Sequence, residues 1–370
     1  MVIYMYKKSI MQICIPILFF FFVSIISLYN ASKMINIDYL VIKQIIWYSI
    51  GIILILLIKK LGNKFIIDNI FIFYIIFNIL LILLLIFGKP VNNSKCWFEI
   101  PGIGTFQPSE FMKIILILMI AKICSENKNT FKFKDEISLI LKIFILTIIP
   151  SLLTFLQPDT GVVIIYLIIT TTQLFIYGLR KEWFIYIFLL IALILSIIFF
   201  IYYINQDMFV NIFGTSFFLR IDRLLDWSNK SGYQLENSLI SIGGAGLFGY
   251  GLKNPLYFPE SQTDFIFSVY SSSFGFIGSL ILIISILIFD INLIKTALNI
   301  KEKLNKYIIC GFLGMIFYQQ IQNIGMTFGF LPITGITLPF ISYGGSSLLS
   351  YMIMIGIILN IIKKEHKALN

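Results

Sequence analysis

Apolar runs separated by short polar stretches dominate the chain, and most come near the roughly 20 residues that a helix needs to cross about 30 Å of hydrocarbon. The runs lie near 9–29, 44–60, 66–88, 108–123, 138–156, 161–179, 183–204, 264–290, 307–330 and 345–362. They predict an all-α polytopic membrane protein with about ten transmembrane helices, of which the second and fourth are short. One long polar interval, 205–263, separates the seventh and eighth runs.

Lysine placement orients these spans. One set of alternate connections and ends holds Lys7, Lys8, Lys59, Lys60, Lys64, the 122–134 cluster, Arg180, Lys181, the 295–306 cluster and Lys363 to Lys367. The other set is sparser, and half of its cations fall in the long interval, which the positive-inside rule discounts. Both termini are therefore expected in the cytoplasm. Segments 89–110, 157–160, 205–263 and 331–345 then lie outside, 205–263 as a large extracytoplasmic loop within a single membrane domain, 1–370. Most of the Gly, Pro, Gln and Asp that an apolar scaffold does not need sit in these outer segments, so function is sought there.

Composition agrees. With 59% apolar and 12% charged residues, the chain has too little polar surface to be a soluble globule. The formal charge of +10 would suit nucleic acid, but the cations sit in short clusters between spans, a topological pattern that predicts no nucleic-acid partner. Lys7 and Lys8 precede a run too long for a signal-peptide core, which implies a retained first span. The four cysteines are scattered and only Cys96 is expected outside, so neither a disulfide framework nor a metal site follows.

Several outer residues carry candidate chemistry, each with a plainer alternative. Asp264 stands where the long loop meets a span, where a carboxylate is either a helix cap or a partly desolvated acid facing a polar substrate. Glu110 and Lys113 are one helical turn apart and can pair, structurally or functionally. Trp97 beside Lys95 is either an interfacial anchor or a sugar-stacking ring next to a phosphate-binding cation. Asp159, in Gln157-Pro158-Asp159, can cap the following helix. Arginine is rare in this Lys-rich chain, yet Arg220 and Arg223 fall three apart in the long loop. Their forked donors suit pyrophosphate, with lipid headgroups or Asp222 and Asp226 as the alternative partners. Gly244 to Gly249 forms a G-x-G-x-x-G, but no strand-helix-strand unit surrounds it. Tight turns or re-entrant backbone explain it better than a dinucleotide.

In order, Trp97, Gln107-Pro108-Ser109-Glu110, Gln157-Pro158-Asp159, Gly232-Tyr233-Gln234, Pro259-Glu260, Thr263-Asp264-Phe265-Ile266-Phe267 and Pro339 to Ser347 resemble the SEDS family (shape, elongation, division and sporulation) over nearly the whole chain. Gly325-Met326 and Pro332 to Ile336 are more similar to its elongation branch than to its division branch. The resemblance implies ten membrane helices and polymerisation of lipid II into glycan strands at the outer face of the bacterial inner membrane. It implies a class B penicillin-binding protein transpeptidase and other elongation-complex membrane proteins as partners. It also marks Asp264 as catalytic and Trp97 as important. Gln262, Lys95-Cys96, Thr105 and Ser271-Ser272-Ser273 depart from the family pattern, which bears on substrate contacts and rate more than on reaction type.

For such a reaction one carboxylate suffices as base, because the pyrophosphate leaving group needs cations, not a second acid. Asp264 is assigned as general base. Arg220, Arg223, Lys95 and Lys113 are candidates for the pyrophosphate, with Glu110 positioning Lys113 and Trp97 bordering the saccharide. Gln107, Asp159, Glu260 and Thr263 complete the expected substrate-binding set. No cofactor is required, and a divalent cation such as Mg at the pyrophosphate is left open. A lipid-precursor flippase would need functional polar residues through the bilayer and on its inner face. A scaffold that only binds a transpeptidase would need no acid facing cations.

Overall fold

Helix α1 (Val2–Ile35) starts a computed structural model that describes residues 2–35, 37–89, 95–100, 104–127, 132–215, 217–218, 221, 227, 232–252 and 259–368. There follow α2 (Leu40–Leu61), α3 (Asn63–Asp68), α4 (Ile70–Phe87), α5 (Pro108–Glu126), α6 (Phe133–Leu156), α7 (Thr160–Tyr177) and α8 (Lys181–Ile204). The second half holds α9 (Gln206–Phe213), α10 (Tyr233–Gly244), α11 (Ile266–Asn299), α12 (Lys303–Thr327) and α13 (Gly345–Ala368). Every apolar run becomes a long helix. The third run differs in losing its first turns to α3, with the break at Asn69.

Among the described residues, 8 helices are long and apolar enough to cross a membrane. The other two long helices, α5 and α12, carry charge or amides and lie at the centre, packed on each other and both on α7. Helix α5 buries Met112 through Ala121 on all sides, as a helix enclosed by others must. At the periphery α8 buries none of its apolar window.

Buried polar side chains cross this core. Gln319 Nε2 donates to Tyr351 Oη at 2.8 Å, Gln320 Nε2 to Asp290 Oδ1 at 3.2 Å, and Gln322 Nε2 to the Pro332 carbonyl at 2.7 Å. They interrupt runs that read as apolar in the sequence. These amides bond across helices and loops, which is how polar groups hold membrane helices together.

Two segments depart from the expected helices and loops. Phe98–Ile100 and Gly104–Phe106 form a small antiparallel hairpin, β1 and β2, with Glu99 opposite Thr105. Interval 205–263 is not continuous loop, since it contains α9 and α10. Helix α10 buries Leu235, Ser238 and Ser241, with Ser238 Oγ 2.6 Å from Ser268 Oγ, and exposes Tyr233, Glu236 and Ile240. Leu247 and Phe248 beyond it are exposed as well.

The glycines after α10 serve a break in α11. Gly275 has φ 65° and ψ −159°, which interrupts the helical hydrogen bonds. Chain 246–251 replaces them: the Phe276 amide donates to the Gly246 carbonyl at 2.9 Å, the Ile277 amide to Leu247 at 3.1 Å and the Tyr250 amide to Ser272 at 2.8 Å. A Cβ on Gly275 would come 2.6 Å from the Leu247 carbonyl carbon, and one on Gly249 would overlap the backbone of Ser273. The glycine run is thus a set of tight turns whose backbone completes the hydrogen bonds of the broken helix, close approach being needed at Gly249.

Candidate active site

Motif residues from segments 89–110, 157–160 and 331–345 converge through hydrogen-bonded side chains. Gln107, just before α5, donates from Nε2 to Asp159 Oδ2 at 2.8 Å, and its amide reaches Ser346 Oγ, at the start of α13, at 2.9 Å. Asp159 uses its other oxygen to cap α7, accepting from the Val162 amide at 3.1 Å. Its capping role and its place in the site are therefore compatible. Cys96 Sγ donates to the Gln157 carbonyl at 3.0 Å, which pins the Lys95 to Trp97 segment against the same turn. Lys95 and Trp97 flank Cys96, both half-buried.

The loop 331–342 bridges this turn to Asp264. Gly161 packs so closely under the loop that a Cβ would come 2.8 Å from the Thr334 carbonyl oxygen. Gly335, at φ 73°, lies over Asp264, where a Cβ would be 3.6 Å from Oδ2. Asn323 Nδ2 clamps both pieces, donating to the Asp264 and Ile336 carbonyls at 2.8 Å each. Ser342 Oγ donates to the Thr263 carbonyl at 2.7 Å and the Tyr343 amide to Gln262 at 2.9 Å. Sequence reasoning passed over Asn323, Gly335 and Ser342 as site residues. Their work is holding backbone, which leaves no chemical signature.

Glu260 makes the turn that presents Asp264. It adopts φ 56°, a region costly for a residue with a Cβ and found where surrounding contacts enforce it. Its carbonyl accepts from the Thr263 and Phe265 amides at 3.2 Å each, and its Oε2 accepts from Thr263 Oγ1 at 2.8 Å and from Gln262 Nε2 at 3.3 Å. Glu260 and Thr263 therefore shape the turn directly.

Asp264 is half-buried, and among the described residues no hydrogen bond reaches its carboxylate oxygens. Loss of water pushes its pKa up to about 7, reinforced by the negative charges of Glu260 and Asp159. The group is thus a carboxylate poised to exchange a proton near neutrality, which suits a general base. Among the described residues no group of three or more His, Cys, Asp or Glu is arranged to hold a metal ion.

The expected Glu110 and Lys113 pair forms, at 2.6 Å between Oε2 and Nζ, with Lys113 wholly buried. Its ammonium also faces the Tyr351 ring, 5.4 Å from the centroid. Lys113 is therefore withdrawn from any exposed surface. Arg220 and Arg223 lie outside the described residues.

A bundle of membrane helices with Asp264 beneath the 331–342 loop, and with Gln107, Asp159 and Ser346 tied together, defines a polytopic membrane protein with an acidic site at one end. A family model for cell cycle proteins of the FtsW, RodA and SpoVE group matches residues 6–367, and the chain belongs to this family. Stage V sporulation protein E of Bacillus subtilis is 34% identical over 304 residues, covering 76% of this chain and 75% of that one. A probable peptidoglycan glycosyltransferase FtsW of Coxiella burnetii is 37% identical, with 76% and 75% covered. Its counterpart in Buchnera aphidicola is 32% identical, with 86% and 89% covered. Among solved structures, a chain of a peptidoglycan synthase complex superposes with TM-score 0.77 at 24% identity, over 97% of this chain and 98% of that one. The rod shape determining protein RodA of Thermus thermophilus gives 0.69 at 24% identity, over 96% and 97%.

Proposed function

We propose that the chain is a peptidoglycan glycosyltransferase that polymerises lipid II at the outer face of the bacterial cytoplasmic membrane, with both termini cytoplasmic. The observation that carries this reading is the Asp264 carboxylate, free of hydrogen bonds among the described residues and with a pKa of about 7. The names borne by the relatives support it.

In the proposed step the acceptor 4-hydroxyl oxygen attacks the anomeric carbon of the donor sugar. The new carbon–oxygen bond forms as the bond to the lipid pyrophosphate breaks, the hydroxyl proton passes to Asp264, and the anomeric centre inverts. Trp97 borders the saccharide, and Arg220, Arg223 and Lys95 meet the pyrophosphate. Lys113, held by Glu110, adds positive field from below, and a divalent cation at the leaving group would act in the same sense. The buried amides favour this reading over a flippase, because they bond to protein rather than lining a solvated path.

Purified chain in detergent, given lipid II, is expected to form glycan strands, more of them when a class B penicillin-binding protein is added. Folded protein that makes no strand in either condition would overturn the assignment. The finer, elongation role rests on Gly325-Met326 and Pro332 to Ile336. Rounded cells on depletion would support it, and filaments would assign the chain to division.

A further inference from the structure

At the end of the molecule opposite Asp264, a cavity of about 620 Å³ opens between α1 and α11. These two helices run antiparallel and present matching stripes to each other. Lys8, Gln12 and Ile15 follow helical spacing on α1, and Ile288 and Asn292 do so on α11. Lys295 continues the α11 stripe by one more turn and is exposed, as is Lys8. Pro16 lies inside α1 at the deep end of the groove. Asn292 Nδ2 donates to the Gln12 carbonyl at 2.9 Å, which ties the two walls together.

The groove is therefore apolar along its length, amide-lined in its middle and cationic at its mouth. Neither lysine belongs to an ion pair among the described residues. A mobile lipid chain lying against any membrane protein needs no such mouth. Two unpaired ammonium groups flanking an apolar trough of this size match a ligand with a long hydrocarbon tail and a phosphate head.

We infer that this groove is a binding site for an anionic glycerophospholipid, its acyl chain against Ile15 and Ile288 and its phosphate between Lys8 and Lys295. On the orientation proposed above, the lipid comes from the cytoplasmic leaflet, where basic pockets between membrane helices take anionic headgroups. The site is separate from the Asp264 site and its existence does not depend on the polymerase reading.

Native mass spectrometry of the full chain in detergent, titrated with phosphatidylglycerol or phosphatidylcholine of the same acyl length, tests this. Phosphatidylglycerol should be retained preferentially. Lys8→Gln with Lys295→Gln should weaken its retention on the order of thirtyfold, about fivefold for each lysine near a headgroup. Lys59→Gln with Lys60→Gln, on α2 outside the groove, should leave it unchanged. Ile288→Trp, which fills the trough, should lower retention at an unchanged melting temperature. Equal retention of the two lipids, or phosphatidylglycerol binding that survives both the lysine and the tryptophan changes, would overturn the proposal.

Discussion

Asp264→Asn is expected to lower the rate of glycan-strand formation by on the order of a hundredfold to ten-thousandfold, the usual contribution of a positioned general base. The substitution keeps shape and removes only the ability to accept a proton. It also removes the repulsion by Glu260 and Asp159, so the variant should be no less stable than the parent. The sign follows from linkage. A folded-state pKa raised to about 7 means that the native state holds its proton more tightly than the unfolded chain, so the contribution is favourable below pH 4 or so and is lost as pH rises through about 7. At pH 8 the parent holds an ionised, poorly solvated acid, and the asparagine does not. Thermal unfolding in detergent at pH 8 should therefore show an equal or higher melting temperature for the inactive variant.

The same pKa sets the pH profile. Activity should rise with pH through about 7, as Asp264 loses its proton. Glu260→Gln withdraws one of the charges that raise this pKa, so the acid limb should move to lower pH. An acid limb that stays in place in Glu260→Gln, or strand formation by Asp264→Asn near the parental rate, would assign the base elsewhere.

Much of this architecture was legible in the residues, for identifiable reasons. Span placement was readable because each crossing helix must be apolar over its length, and α1, α2, α7 and α8 obey that rule. The ion pair on α5 was readable because helical geometry fixes residues three apart on one face. The α7 cap at Asp159 was readable because the preference is local. What escaped depends on contacts far apart in sequence. The packing of α10 depends on Ser238 meeting Ser268 and the Thr327 carbonyl, and a serine facing inward looks like a solvent-facing one until then. The break at Gly275 needs Gly246 and Leu247 to receive its orphaned amides. The 98–106 hairpin is too short to show a strand period. At the site, the structure joins Gln107 to Asp159 and Thr263 to Glu260, residues the sequence singles out, whereas the strained turn at Glu260 and the clamp from Asn323 are backbone facts.

An excess of negative charge at the outer site follows from the same geometry. Glu260 and Asp159 both repel an ionised Asp264, while Lys113, wholly buried, is matched by Glu110. A lipid pyrophosphate brought to this face would meet net repulsion from the described carboxylates. The proposed polymerase step therefore depends on Arg220, Arg223 and Lys95 to offset it. A fixed acid with a raised pKa and separate cations is a workable division, since the base must be held in position while the leaving group must depart.

The ion pair on α5 offers the sharpest separation of folding from chemistry. Glu110→Gln leaves the Lys113 ammonium wholly buried without its counter-charge, which should cost about 3–5 kcal/mol and appear as a large fall in melting temperature. Lys113→Met removes the charge but leaves Glu110 buried and unpaired, so it should destabilise as well. Combining Glu110→Gln with Lys113→Met removes both charges, and replacing a buried pair by neutral groups of similar volume is commonly neutral or stabilising. The double variant should thus melt near the parent. Its strand-forming rate should nevertheless stay roughly tenfold or more below the parent, because the field of Lys113, which reaches Asp159, is gone from beneath the site. If activity instead returns in step with stability, the pair serves the fold alone, and the pyrophosphate is held entirely by cations of the outer loops.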